Sequence, residues 1–180
     1  LYENKQVVGL AEMMNYPGVL LGTSDVYNKI GDAIEQGKVI DGHAPFLSGK
    51  ELDKYICAGI TSDHECSDVG EAIEKIRKGQ WVMIRQGTAA RNLAELLPLF
   101  DDAYSHRCVL VTDDRHPADL IRDGHIDNII RLAARGGKSV ITAIKMATIQ
   151  AAQCFGLRFV GAVAPGYRAD LLVLNDLNAV

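Results

Sequence analysis

Residues 38–64, KVIDGHAPFLSGKELDKYICAGITSDH, contain the pattern that decides the fold. The apolar run Lys38–Gly42 predicts a strand, Gly49–Ala58 predicts an amphipathic helix, and Gly59–Asp63 predicts a second strand. A strand, a helix and a strand in this order are typical of the βα units that build parallel sheets. The pattern therefore predicts an α/β protein.

The same alternation continues on both sides of this stretch. Further strands are predicted at Val7–Met14, Trp81–Arg85 and Arg107–Thr112. Further helices are predicted at Val26–Gln36, Val69–Lys78, Asn92–Phe100, Asp127–Arg135 and Ser139–Phe155. The strand cores are continuously apolar, which is typical of strands covered on both faces. Five units are too few to close an eight-stranded barrel, and an open doubly wound sheet fits the pattern equally well.

Two details concern the helix surfaces. Ser48, followed three residues later by Glu51, has the spacing of a capping box at a helix start. In the helix after Asp68, we expect the solvent face to carry Glu71, Glu74 and Lys75.

The sequence pattern of the chain changes after residue 158. Val160–Gly166 is rich in turn residues, and Ala169–Leu174 predicts one more strand. We therefore predict one domain over residues 1–158 and the start of a small β-structure over 159–180.

Composition narrows the functional classes. The net charge of −4 and pI near 5.7 argue against a nucleic-acid-binding surface. No apolar run reaches the roughly 18–20 residues that cross a bilayer. The four cysteines form no C-x-x-C pair, which favours reduced thiols in a cytoplasmic protein over a zinc or disulfide framework. Without an initiator Met or a signal-peptide pattern, the chain is expected to be an excised segment.

Polar residues end the successive apolar runs, where ligands gather in parallel βα folds. The residues in question are Glu12, His43, His64 with Glu65, Arg85 with Gln86, and Asp113 with Asp114. Carboxylates and imidazoles are suitable ligands for Zn, Mn or Fe. The regular placement predicts a metal site.

Each residue also has a simpler interpretation. Glu12 alone would be a solvated strand end, and His43 or His64 alone would more often be a hydrogen-bonded structural histidine. Two histidines one βα unit apart favour metal binding. Asp113 and Asp114 would otherwise cap the helix that begins near Pro117. His106 and His125 are interpreted as surface or structural residues, and His116 is left undecided.

Several of these strings resemble the bacterial adenine deaminases of the amidohydrolase superfamily. The resemblance covers essentially the whole chain in consistent order. The strings are GLAEMM at 9–14, DGHAP at 41–45, TSDHE at 61–65, TDDRHP at 112–117, GHID at 124–127 and GAVAPGYRADLL at 161–172.

This resemblance implies the second half of a (β/α)8 TIM-like barrel, about strands 4–8, that leads into a β-sandwich segment. It implies that Glu12, His43, His64 and Asp113 are metal ligands. The cofactor would be Mn²⁺ or Fe²⁺, with Zn²⁺ as a further candidate, in a binuclear site of the full-length enzyme.

The implied reaction is the hydrolysis of adenine to hypoxanthine and ammonia. By the resemblance, Asp113 shuttles the proton and Asp114 hydrogen-bonds the purine. Glu65, next to a ligand, is expected to carry a proton, and Arg85 is expected to bind substrate.

The chain also departs from the family. It contains no His-x-His pair, which amidohydrolase barrels carry on their first strand, so those ligands are expected upstream. Gln86 stands where Glu is usual and Gln150 where Asn is usual. The alternatives are a dihydroorotase-like hydrolase of cyclic amides and a non-catalytic remnant. We expect the chain to be inactive alone, with unpaired sheet edges, and the whole enzyme to be a cytoplasmic homo-oligomer.

Overall fold

The computed structural model describes residues 2–177, with no description of the Asp102 side chain. The chain divides into two compact units, Leu1–Val82 and Met83–Val180. No helix within the described range is both long and apolar enough for a membrane crossing.

The first unit alternates strands and helices as the sequence predicts. Its elements are β1 (Gly9–Met13), α1 (Tyr16–Leu21), α2 (Ser24–Glu35), β2 (Val39–Gly42), α3 (Gly49–Cys57), β3 (Ser62–Asp63) and α4 (Val69–Arg77). Strands β1 and β2 pair in parallel, with Gly9 opposite Val39. Strand β3 pairs in parallel with the first residues of β4 (Trp81–Arg85). The predicted parallel pairing is confirmed for both pairs.

The core of the first unit lies between its strands and helices. Ile40 of β2 and Ile60 before β3 are buried, together with Leu52 and Tyr55 of α3. Strand β1 is less covered than predicted, because Ala11 and Glu12 are exposed. Burial on both faces therefore fails for the strand that carries Glu12.

The second unit begins within β4. Its further elements are α5 (Leu93–Leu96), a 3-10 helix (Leu97–Phe100), α6 (Asp102–Ser105), β5 (Cys108–Val111), α7 (Pro117–Asp123), α8 (Ile126–Arg135), α9 (Val140–Ala147) and α10 (Ile149–Cys154). Strands β4 and β5 are hydrogen-bonded neighbours, and Met83, Ile84, Val109 and Leu110 are buried.

Two predicted helices are divided in the structure. The helix expected over Asn92–Phe100 changes from α to 3-10 geometry at Leu97, because Pro98 has no N–H to donate to the carbonyl four residues earlier. The helix expected over Ser139–Phe155 is interrupted at Thr148, whose φ of −124° and ψ of −92° are not helical. Both long-helix predictions were wrong at these points.

Local details also differ from expectation. Ser48 does occupy the N-cap position of α3, but its side chain makes no capping hydrogen bond, so the predicted capping box is wrong. Instead the Gly49 N–H donates to Glu74 at 2.9 Å. Helix α1 was not predicted, although Pro17 in its first turn and the Asn15 cap suit a helix start.

The final segment is irregular. No strand forms over Ala169–Leu174, contrary to prediction, because a strand needs a hydrogen-bonded neighbour and no strand lies beside this segment within residues 2–177. Val173 is fully exposed. The division between the two units falls after Val82, whereas the boundary near residue 158 stays a prediction.

Candidate metal centre

Three predicted ligands converge in the first unit. Glu12 lies near the carboxyl end of β1, His43 follows β2, and His64 follows β3. Their donor atoms all lie within 4.8 Å of one another. The structure therefore brings together residues that are up to 52 positions apart in the sequence, counting from 12 to 64.

The contacts within this group are short. His43 Nδ1 lies 2.7 Å from Glu12 Oε1, and His64 Nε2 lies 3.4 Å from the same oxygen. The two imidazole rings stand edge to face, with their centroids 5.3 Å apart. One carboxylate oxygen is thus shared by two ring nitrogens.

The surroundings of His43 Nδ1 indicate whether a cation fits between these residues. This nitrogen is buried and makes no hydrogen bond of acceptable geometry to the described residues, in spite of its approach to Glu12. A buried polar atom left in this way is costly unless another partner satisfies it. Because two imidazoles and a carboxylate are a common donor set for Zn, Mn and Fe, the arrangement fits a divalent metal.

Glu65 adds a second carboxylate at the edge of the group. Its Oε1 lies 3.5 Å from His43 Nδ1 and 3.5 Å from His64 Nε2. Its backbone N–H donates to Asp63 Oδ2 at 3.1 Å. The position suits the proton carrier that the sequence suggested.

Behind the site lies a buried ion pair that the sequence did not predict. Lys75 Nζ lies 2.9 Å from Asp63 and 2.7 Å from Glu71, and Lys75 and Asp63 are completely buried. The expected solvent exposure of Lys75 was wrong, because its ammonium turns inward to this carboxylate. Burial raises the pKa of Asp63, but the Lys75 charge and hydrogen bonds outweigh burial and hold that pKa below its usual value.

The same lysine contacts a second group of residues whose side chains could bind a metal. Asp63, Cys66 and Glu71 have donor atoms within 4.8 Å of one another. The Lys75 ammonium already bonds to both carboxylates, and burial raises the pKa of the Cys66 thiol. The lysine ammonium therefore already takes the place between the two carboxylates that a metal cation would take, and we assign no metal to this group.

A buried tyrosine joins two ligand-bearing segments. The Tyr55 hydroxyl donates to the Met13 carbonyl at 2.9 Å and accepts from the His43 N–H at 2.9 Å. Burial raises the pKa of this phenol. The sequence did not predict this role, because a tyrosine on the apolar face of α3 has the pattern of an ordinary core residue.

The remaining predicted site residues lie in the second unit. Asp113 follows β5, and its Oδ2 lies 2.6 Å from Arg85 Nη1 at the end of β4. Its φ of 54° is in the left-handed region that residues other than glycine seldom adopt. Asp114 is exposed, and its carbonyl accepts from the Thr88 N–H at 2.9 Å.

Helix capping does not account for the two aspartates. Helix α7 is capped by His116, whose Nδ1 accepts from the Ala118 N–H at 3.2 Å. This settles His116 as a capping residue. His106 is exposed, and His125 Nε2 lies 3.1 Å from the Thr112 hydroxyl, in agreement with their interpretation as surface and structural residues.

All four cysteines are free thiols. Cys66, Cys108 and Cys154 are buried, and Cys57 is exposed. Burial raises the pKa of Cys108 to about 12. The disulfide alternative is thereby excluded within the described residues.

Comparison with known proteins identifies the family. The protein-family model with the description Amidohydrolase family matches residues 1–179 of the sequence. The chain therefore belongs to the amidohydrolase family. The resemblance noted in the sequence is thus confirmed at family level.

Curated relatives are adenine deaminases. The chain is 50% identical to that of Nitratidesulfovibrio vulgaris over 177 residues, which cover 98% of this chain and 31% of the relative. It is 53% identical to that of Dehalococcoides mccartyi (96% and 30% covered) and 48% identical to that of Clostridium acetobutylicum (100% and 32% covered). The chain spans about a third of the length of these relatives.

Solved structures show the fold. A β-aspartyl dipeptidase from Fervidobacterium islandicum matches with a TM-score of 0.63 at 13% identity, over 92% of this chain and 52% of that one. An uncharacterised protein matches with a TM-score of 0.56 at 16% identity, over 80% and 40% of the two chains. These likenesses concern the fold alone and agree with an α/β architecture.

Proposed function

We propose that the chain is the second half of the barrel of a metal-dependent adenine deaminase, which hydrolyses adenine to hypoxanthine and ammonia. The observation that carries this proposal is the convergence of Glu12, His43 and His64, in which the buried His43 Nδ1 approaches Glu12 but makes no well-oriented hydrogen bond to any residue that the structure describes. The identity of about 50% to adenine deaminases supports the choice of substrate.

Glu12, His43 and His64 would hold the metal, with Asp113 as a further ligand in the assembled site. A divalent cation supplies Lewis acidity and makes water nucleophilic at neutral pH. The donor set suits Zn, Mn and Fe alike, and the family resemblance favours Mn²⁺ or Fe²⁺, with Zn²⁺ as the other candidate, in one or two sites.

Side chains of this chain would then transfer protons and orient the substrate. Asp113 would take a proton from the attacking water and deliver it to the departing nitrogen. Glu65, 3.5 Å from both histidines, would share that transfer. Asp114 would accept a hydrogen bond from the purine. Arg85, which holds Asp113 at 2.6 Å, would fix the direction of this carboxylate and contact the base.

The proposal extends to architecture and context. Residues 1–158 would supply about strands 4–8 of a (β/α)8 barrel, and 159–180 would enter the small β-sandwich domain. The buried free thiols support a cytoplasmic enzyme. Assembly as a homo-oligomer follows from the resemblance alone, and no nucleic-acid or membrane partner is proposed.

The test uses the gene product that contains this chain, loaded with Mn²⁺. Adenine should be converted to hypoxanthine, whereas a dihydropyrimidine should not be ring-opened. His64→Ala should lose bound metal, as measured by mass spectrometry. Its adenine turnover should fall by more than roughly 10–100-fold, which is the typical loss when a residue beyond the ligands is changed.

His106→Ala is the matched control, because His106 is an exposed histidine outside the group. It should keep both metal and turnover. Full metal content in His64→Ala would contradict the proposed metal centre. Ring-opening of the dihydropyrimidine without adenine turnover would contradict adenine as the substrate.

A further inference from the structure

We propose that Tyr55 and Asp63 are positioning residues that fasten the three ligand-bearing segments of the first unit to one another. The inference rests on the proposed metal centre and deepens it. Neither side chain belongs to the ligand group, and each bonds to backbone beside a ligand.

Tyr55 connects the first segment to the second. Its hydroxyl donates to the carbonyl of Met13, which follows Glu12, and accepts from the N–H of His43 itself. The side chain is completely buried, so water cannot replace either bond without a cavity. One oxygen atom therefore bridges the two backbones just beyond the last pairing of β1 with β2, that of Met13 with Gly42, where the chain leads into His43.

Asp63 connects the second segment to the third. Its Oδ1 accepts from the Ala44 N–H at 2.7 Å, and its Oδ2 accepts from the Glu65 N–H at 3.1 Å. Ala44 follows His43, and Glu65 follows His64. One carboxylate thus holds the backbone next to both histidines.

Lys75 fixes Asp63 and the second segment together. Its ammonium donates to Asp63 Oδ2 at 2.9 Å and to the Ala44 carbonyl at 2.7 Å. The carboxylate therefore has no freedom to turn away from the two backbone N–H groups. Such partners beyond the ligands orient a metal site, and their loss typically lowers metal affinity.

Packing alone does not require these polar atoms. A phenylalanine would fill nearly the same volume as Tyr55, and an apolar core would avoid a buried ion pair. What the polar atoms add is a fixed link from Glu12 to His43 and from His43 to His64 and Glu65. The links act in series, so loss of either one should let the donor atoms separate.

The test measures Mn²⁺ binding to the metal-free gene product by electron paramagnetic resonance. Tyr55→Phe removes only the bridging oxygen and should weaken Mn²⁺ binding about 10-fold or more. Asp63→Asn should do the same. The spectrum of bound Mn²⁺ should change in both variants, which a loss of fold stability alone would not produce.

Tyr27→Phe is the matched control. Tyr27 lies in the same unit, and its hydroxyl donates to the Val19 carbonyl at 3.3 Å, away from the ligands. Its affinity and spectrum should equal those of the parent.

The outcomes separate the two proposals. If Tyr55→Phe unfolds at a lower temperature but binds Mn²⁺ with parental affinity and spectrum, the positioning role is overturned and the metal centre stands. If the parent binds no Mn²⁺, the metal centre itself fails, and the positioning role fails with it.

Discussion

At the scale of single residues, Lys75 places a charge inside the first unit. It is completely buried and forms ion pairs with Asp63 and Glu71. Burial lowers the pKa of this amine, but the Asp63 charge outweighs burial and holds the pKa above its usual value. The lysine is therefore charged and committed to the carboxylates.

Lys75→Met should destabilise the protein by about 3–5 kcal/mol, because it leaves the Asp63 carboxylate buried without its counter-ion. Methionine has nearly the length of lysine and keeps the helix propensity of α4. Urea unfolding followed by circular dichroism measures the loss.

Lys78→Met on the same helix is the comparison. Lys78 pairs with Asp53 and Glu74 at the surface, so its removal should change stability far less. Equal losses in the two variants would mean that burial of the pair has no special weight.

The residue scale also shows what sequence can predict about the site. Glu12, His43 and His64 were found because they end apolar runs at regular spacing, and their types bind metals. Lys75 and Tyr55 were missed because nothing near them in the sequence marks their role. Apart from Glu71, four positions before Lys75, the partners named here lie 12 to 42 positions away, so only the folded chain reveals them.

At the scale of elements, the site depends on the close approach of β2 and β3. A Cβ at Gly42 would overlap the Ser62 carbonyl oxygen and lie 2.6 Å from Ile60 Cγ2. Gly42 directly precedes His43, so the residue without a side chain sits where the ligand segment leaves β2.

Gly42→Ala should therefore force β2 away from β3 and destabilise the protein by about 1–3 kcal/mol, as overpacking typically does. Gly31→Ala in α2 is the matched glycine control. A Cβ at Gly31 meets nothing within 4 Å, so this change should stabilise the helix by about 0.5–1 kcal/mol. Thermal unfolding of both variants decides the point, and a neutral Gly42→Ala would contradict the close approach.

Element types followed from the sequence more reliably than element continuity. The strand at Trp81–Arg85 was predicted with the bounds the structure has, since a continuous apolar run is a strong local signal. The divisions at Leu97 and Thr148 were not predicted, because helical periodicity continues across both points. The strand at 169–174 failed for another reason, since pairing depends on a neighbour that no local pattern supplies.

At the scale of the whole molecule, the proposed metal centre is incomplete within this chain. The first unit gathers three donor residues, and the chain contains no His-x-His pair. Its curated relatives are about three times as long. The family resemblance implies that the missing pair and the first barrel strands lie outside these 180 residues.

We therefore expect the bare 180-residue chain to form no hypoxanthine from adenine, even with Mn²⁺ present. The expected reason is that a metal held by Glu12, His43 and His64 alone would lack the His-x-His pair that the family resemblance implies as further ligands. The gene product that contains the chain should be active in the same assay, with ammonia and hypoxanthine formed in equal amounts. Turnover by the bare chain that a chelator abolishes would show that these residues suffice, and the half-barrel interpretation would then be wrong.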